Sequence, residues 1–167
     1  MAKAAVVRRL LGSQQLDSWT LRLAYDLDSM LLASWDRPGD ATSVTVLGLR
    51  PEGAEFDAGA LKAAFAGATP TRHPLEVLGY DHIQPASHGE LEIGERQLPS
   101  LTFSWLRVDL DEGSRESGRA DAVWLRCDEP LLDGRFVLLA VERDEPEERP
   151  DTLEEFVKDL RVCAGAE

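Results

Sequence analysis

From Trp19 the chain alternates. Trp19, Leu21, Leu23 and Tyr25 fall on one side and Thr20, Arg22 and Ala24 on the other, the period of two expected of a half-buried strand. Met30 to Trp35 is a second apolar run. Arg37-Pro-Gly-Asp40 is a turn in which Pro sets the bend and Gly accepts an unusual backbone angle. Ser43 to Leu49, with Val44, Val46, Leu47 and Leu49, makes a third strand that Arg50-Pro-Glu-Gly53 closes. The period then lengthens. Behind Asp57 as N-cap, Ala58, Leu61, Ala64 and Phe65 recur at helical spacing as far as Gly67.

Leu75 to Ile83 reads as a mixed strand carrying Leu75, Val77 and Leu78. Leu91 and Ile93 begin another, Gly94-Glu-Arg-Gln-Leu-Pro99 interrupts it, and Leu101 to Leu110 resumes with Leu101, Phe103 and Trp105 opposite Thr102, Ser104 and Leu106. Asp111 to Arg119 is polar, contains Gly113 and Gly118, and reads as a long hairpin loop. Ala122 to Cys127 and Arg135 to Arg143 are the last strands, joined around Asp133-Gly134, a pair favoured in tight hairpins. Asp151 or Thr152, each with a Glu three residues on, caps a final helix whose apolar stripe is Leu153, Phe156, Val157 and Leu160. Residues 2–11 form a short helix or arm, with Val6, Val7, Leu10 and Leu11 on one side.

Strands that follow one another through turns, with a helix after the third strand and another at the C-terminus, predict an α+β domain. The expected architecture is an antiparallel β-sheet of about six or seven strands covered on one face by helices, not a parallel Rossmann-type sheet. Residues 1–18 read as the N-terminal arm or short helix, 19–163 as a single domain and 164–167 as a tail. A chain of 167 residues buries roughly 70 % of the surface that its unfolded form exposes, so it needs no metal or disulfide staple. Cys127 and Cys163 lack C-x-x-C spacing and read as buried or half-buried thiols, not as a redox or zinc site; the acids at Asp128 and Glu129 would blunt Cys127 as a nucleophile.

Charge adds a direction. The chain carries 31 Asp plus Glu against 18 Lys plus Arg, a net charge of −13, which excludes a sequence-independent nucleic-acid binder. Residues 1–84 hold ten acidic and eight basic residues, a net of −2; residues 85–167 hold 21 and ten, a net of −11. The acids gather at connections: Asp109, Asp111, Glu112 and Glu116; Asp128, Glu129 and Asp133; Asp144, Glu145, Glu147 and Glu148. Such clusters keep a chain soluble and protect strand ends, or they form a face that steers a basic partner. The longest apolar run, Phe136 to Val141, is six residues against the roughly 20 that span a bilayer. Arg8 and Arg9 break the apolar start that a secretory signal needs, so a cytoplasmic protein is expected.

Candidate chemistry is sparse. His73, Asp81, His82 and His88 lie close in sequence, but their spacing matches no metal motif, and they also read as loop and strand-end residues beside Pro74 and Pro85. There is no G-x-S-x-G elbow, no Walker A loop and no G-x-G-x-x-G, so neither a catalytic residue nor a cofactor is assigned. Trp19, Trp35, Trp105 and Trp124 all fall in strands and read as core, or one or two of them line a sheet face that receives a partner. The candidate partner-binding residues are Trp105, Trp124, Asp109, Asp111, Glu112, Asp128 and Glu129.

Gly89-Glu-Leu-Glu-Ile93 with Leu98 to Trp105, then Ala122 to Cys127, Asp133 to Val141 and Thr152 to Leu160, resembles in order the PsbP-like group, which includes the actinobacterial LpqN proteins and DcrB-type domains. The resemblance spans residues 19–162 as a pattern of elements; the Pro-Gly-Trp-type opening of that group is missing. It implies a non-catalytic bacterial module that binds proteins, as an extrinsic subunit, a small-GTPase regulator or a chaperone holding a helix of its cargo. Three functions follow. The first is an adaptor or chaperone acting through its sheet face or acidic second half on a basic or helical protein segment. The second is an immunity-type inhibitor of a basic toxin, and the third a metal-dependent enzyme using the His73–His88 region.

Overall fold

The computed structural model describes residues 3–11, 17–27, 30–39, 42–49, 58–93, 95–126 and 136–143. They form the helix α1 (Lys3–Leu11), the strands β1 (Thr20–Asp26), β2 (Met30–Asp36) and β3 (Thr42–Leu49), the helix α2 (Ala58–Phe65), a 3-10 helix (Pro74–Leu78), and the strands β4 (Asp81–Ile93), β5 (Arg96–Asp109), β6 (Ser114–Arg126) and β7 (Phe136–Arg143). The strands make one sheet in the order β1-β2-β3-β7-β6-β5-β4, and every neighbouring pair is antiparallel. Two meanders, β1 to β3 and β4 to β7, meet where β7 pairs with β3. The α2 segment carries the chain from the middle of the sheet to its β4 edge. The expected C-terminal helix, the Asp57 cap, the Asp133-Gly134 turn and both cysteines lie outside the described residues.

Both faces of the sheet are buried over part of their area, which corrects the expectation of one covered face. On one, Met30, Leu47, Leu101, Phe103, Trp105, Ala120, Ala122 and Trp124 cluster with Leu61 and Phe65 of α2, Leu75 of the 3-10 helix, and Tyr80. On the other, Leu31, Ala33, Trp35, Val44, Val46 and Val123 are buried. Continuous apolar runs such as Met30 to Trp35 are what a strand covered on both sides requires. The helix α1 packs against β1 and β2 and buries Val6 and Leu10, so it belongs to the domain's packing.

Three local readings change for identifiable reasons. The alternation of β1 breaks at Arg22: the register slips between Leu21 and Leu23, after which Ala24 pairs with buried Ala33 and Tyr25 pairs with Leu32 and is 55 % exposed. Residues 74–78 are helical, not extended, because His73 caps the segment, Pro74 enters its first turn, and Gly79 ends it at a φ of 85°. Pro85 and Gly89 lie within β4, an edge strand with register shifts near residues 82 and 86, where a missing donor and irregular pairing are tolerated. Residues 96–99 are not an interruption but the start of β5, with Arg96 paired to Ile93 and Pro99 to Glu90. The loop expected over 111–119 shrinks to the turn at 110–113, with Asp109 paired to Ser114.

Candidate interaction surface

Buried chemistry and exposed chemistry separate clearly in the β5–β6 hairpin. Leu101, Phe103 and Trp105 of β5 point to the core, and Thr102, Ser104, Leu106 and Val108 point the other way. Opposite them on β6, by register, stand Asp121, Arg119, Ser117 and Arg115. Gln84 and Ser87 of β4 extend the rows beside Ser104 and Thr102. This second face is uncovered here: Gln84, Ser87, Ser104, Arg115, Ser117 and Arg119 are exposed, and Thr102, Leu106, Val108 and Asp121 are half-buried. Thr102 Oγ1 donates to Asp121 Oδ1 at 2.8 Å, tying β5 to β6 across it.

At the hairpin tip Asp109 Oδ1 accepts from the backbone N–H of Asp111 at 2.9 Å and of Glu112 at 3.1 Å. This Asx-type arrangement, with Gly113 at a φ of 67°, sets the turn. It leaves Leu110 89 % exposed between carboxylates, in the turn just beyond the end of β5 that carries Leu106 and Val108. Asp109, Asp111 and Glu112 are all exposed there. Asp128 and Glu129 lie outside the described residues.

Trp105 and Trp124 are elsewhere. They are 4 % and 6 % exposed and belong to the core, so neither offers a surface anchor. Trp124 packs on Phe65 of α2, with ring centroids 5.7 Å apart. Trp105 meets Tyr80 at 5.2 Å, and Tyr80 meets Phe103 at 6.1 Å. Arg107 lies over both Tyr80 and Trp105 and donates from Nε to the carbonyl of Gly79 at 3.3 Å. Two buried nitrogens have no partner among the described residues, Trp105 Nε1 and His73 Nε2.

The histidine region does not converge. His73 is buried as the cap of the 3-10 helix, its Nδ1 accepting from Leu75 N–H at 3.2 Å. Burial holds its pKa below the ordinary value, while the Glu76 carboxylate pulls the other way. His82 is exposed at a φ of 49°, beside exposed Asp81, and His88 lies against Gly67 at the end of α2. Among the described residues no three His, Cys, Asp or Glu side chains are placed to hold a metal ion.

The uncovered face was missed in the sequence because its β6 part looked like a loop. The signal was Arg115, Ser117 and Arg119 alternating with Glu116 and Gly118. No protein-family model matches the chain, and no curated protein matches it significantly.

Proposed function

We propose that the protein is a non-catalytic, cytoplasmic protein-binding module, an adaptor or a chaperone for a partner, which docks its partner on the outer end of the β5–β6 hairpin. The observation that carries this reading is the line Leu106, Val108 and Leu110, two half-buried side chains leading to one that is 89 % exposed, with Asp109, Asp111 and Glu112 around its end. An apolar line with a charged rim is the composition of many protein interfaces. The partner that fits offers apolar side chains to the line and basic ones to the tip. The resemblance of the sequence pattern to the PsbP-like group implies this class of function and adds no residue to it. Among the described residues no helix is long and apolar enough to cross a membrane.

The acidic tip also suits an immunity-type inhibitor that captures a basic toxin. Salt separates the two, because electrostatic steering is screened at a Debye length of about 8 Å at physiological ionic strength. The test places a photo-crosslinking residue at position 110 or 117 in the native host. A single dominant partner, captured at both positions and lost from position 117 on Leu110→Asp with Val108→Ser, supports the reading. Capture that is unaffected by these substitutions overturns it. An association rate that collapses with added salt assigns the inhibitor role.

A further inference from the structure

His73 is a buried titratable side chain that the interaction surface does not use. Its Nδ1 accepts the Leu75 N–H, so in the cap that nitrogen carries no proton and the neutral ring holds its proton on Nε2. Nε2 is buried without a partner among the described residues, and the ring stacks on Phe103 with centroids 6.2 Å apart and planes 29° apart. Burial and the Leu75 cap favour the neutral imidazole, Glu76 and the face of Phe103 the cation.

We propose that His73 is an acid-sensitive latch: a proton on Nδ1 removes the acceptor that caps Leu75 and leaves a cation buried away from water, so that the 3-10 helix and Tyr80 lift from β5. The opening would uncover the Phe103–Trp105 side of the core. The charged and titratable groups on the surrounding elements are Glu76 on the 3-10 helix, Arg72 before it, Lys62 on α2, Tyr80, Asp81 and His82 after it, and Arg107 on β5. Glu76 is partly neutralised by Arg72, whose Nε lies 3.2 Å from Oε2. Arg107 adds positive charge beside Tyr80 and also ties down Gly79, so it opposes the imidazolium while restraining the same segment.

The sign follows from the lowered pKa. Capping stability is complete above the ordinary histidine value of 6.5 and is lost as the pH falls below it toward the folded-state value. Uptake of one proton on opening multiplies the opening constant by about ten per pH unit in that window.

Amide hydrogen exchange read by NMR on the full chain tests the latch. Protection factors at Leu75, Glu76 and Gly79 should fall by up to about tenfold per unit as the pH drops below 6.5 toward the folded-state value. Those at Ala33 and Val46, mid-sheet, should stay level. His73→Asn keeps a capping acceptor but does not titrate in this range, and should make the Leu75 to Gly79 protection independent of pH. Equal slopes in the two proteins, or a uniform fall across the sheet, would overturn the latch. Should the variant fail to fold, the His73 ring resonances of the wild-type protein decide: titration at the ordinary value with unchanged Leu75 protection overturns it, and titration below that value alongside falling protection supports it.

Discussion

The imidazole of His88 lies so close to Gly67 that a Cβ on residue 67 would stand 2.6 Å from Nε2. Gly67 ends α2 at a φ of 92°, a region that side chains rarely adopt, so two penalties coincide there. The exposed ring can swing aside, and the backbone cannot. Gly67→Ala should therefore destabilise the protein by about 1–2 kcal/mol, chiefly through backbone strain. Urea denaturation of Gly67→Ala, His88→Ala and the double variant checks this. A double variant that recovers most of the loss would show that contact, not conformation, sets the cost.

Stability and binding should separate along β5. Phe103 is fully buried between His73 and Tyr80, and Phe103→Ala should cost about 3–5 kcal/mol. Leu110, in the turn just past the same strand, has almost nothing to lose; Leu110→Ala should change stability by less than about 0.5 kcal/mol. Thermal denaturation of the two variants, set beside crosslinking yield at position 117, gives the comparison. Loss of yield in Leu110→Ala without loss of stability is the expected outcome.

That strand also shows what a sequence can disclose. Leu101 to Trp105 alternates cleanly with Thr102 and Ser104 because one face is core and the other is wet, and the period records both. The partner strand does not announce itself. Gly118 stands opposite Trp105 and Glu116 opposite Arg107, so residues that look like loop formers are chosen by what faces them, 13 and 9 positions away in the chain. Residues 74–78 misled for the opposite reason. Leu75, Val77 and Leu78 are apolar enough for a strand, but the cap at His73, the ring of Pro74 and the positive φ of Gly79 decide a helix. The acidic tip was legible as a cluster of charges, whereas the exposure of Leu110 within it depends on how short the turn proves to be.

The buried hydroxyls of Ser34 and Thr45 form a closed pair, with Thr45 Oγ1 donating to Ser34 Oγ at 3.1 Å across β2 and β3. Removing one partner strands the other. Ser34→Ala or Thr45→Val alone should cost about 1–3 kcal/mol, and the double variant less than the sum of the singles. A double-mutant cycle by chemical denaturation reads the coupling; strict additivity would mean that each hydroxyl has an independent partner.

Asp109 has two roles that one pair of substitutions can divide. Its carboxylate accepts the Asp111 and Glu112 amides and so shapes the tip, and its charge adds to the acidic rim around Leu110. Asn supplies the same acceptor oxygen without the charge, whereas Ala supplies neither. Asp109→Asn should keep the amides of Asp111 and Glu112 protected and the turn intact, and should weaken only the salt-sensitive part of partner association. Asp109→Ala should loosen the turn as well, costing roughly 1 kcal/mol, and reduce binding at every salt concentration because Leu110 is no longer held in place. Hydrogen exchange at the tip together with association rates at two ionic strengths distinguishes the variants. Identical behaviour of the Asn and Ala proteins in both measurements would show that the turn holds Leu110 without help from the Asp109 side chain.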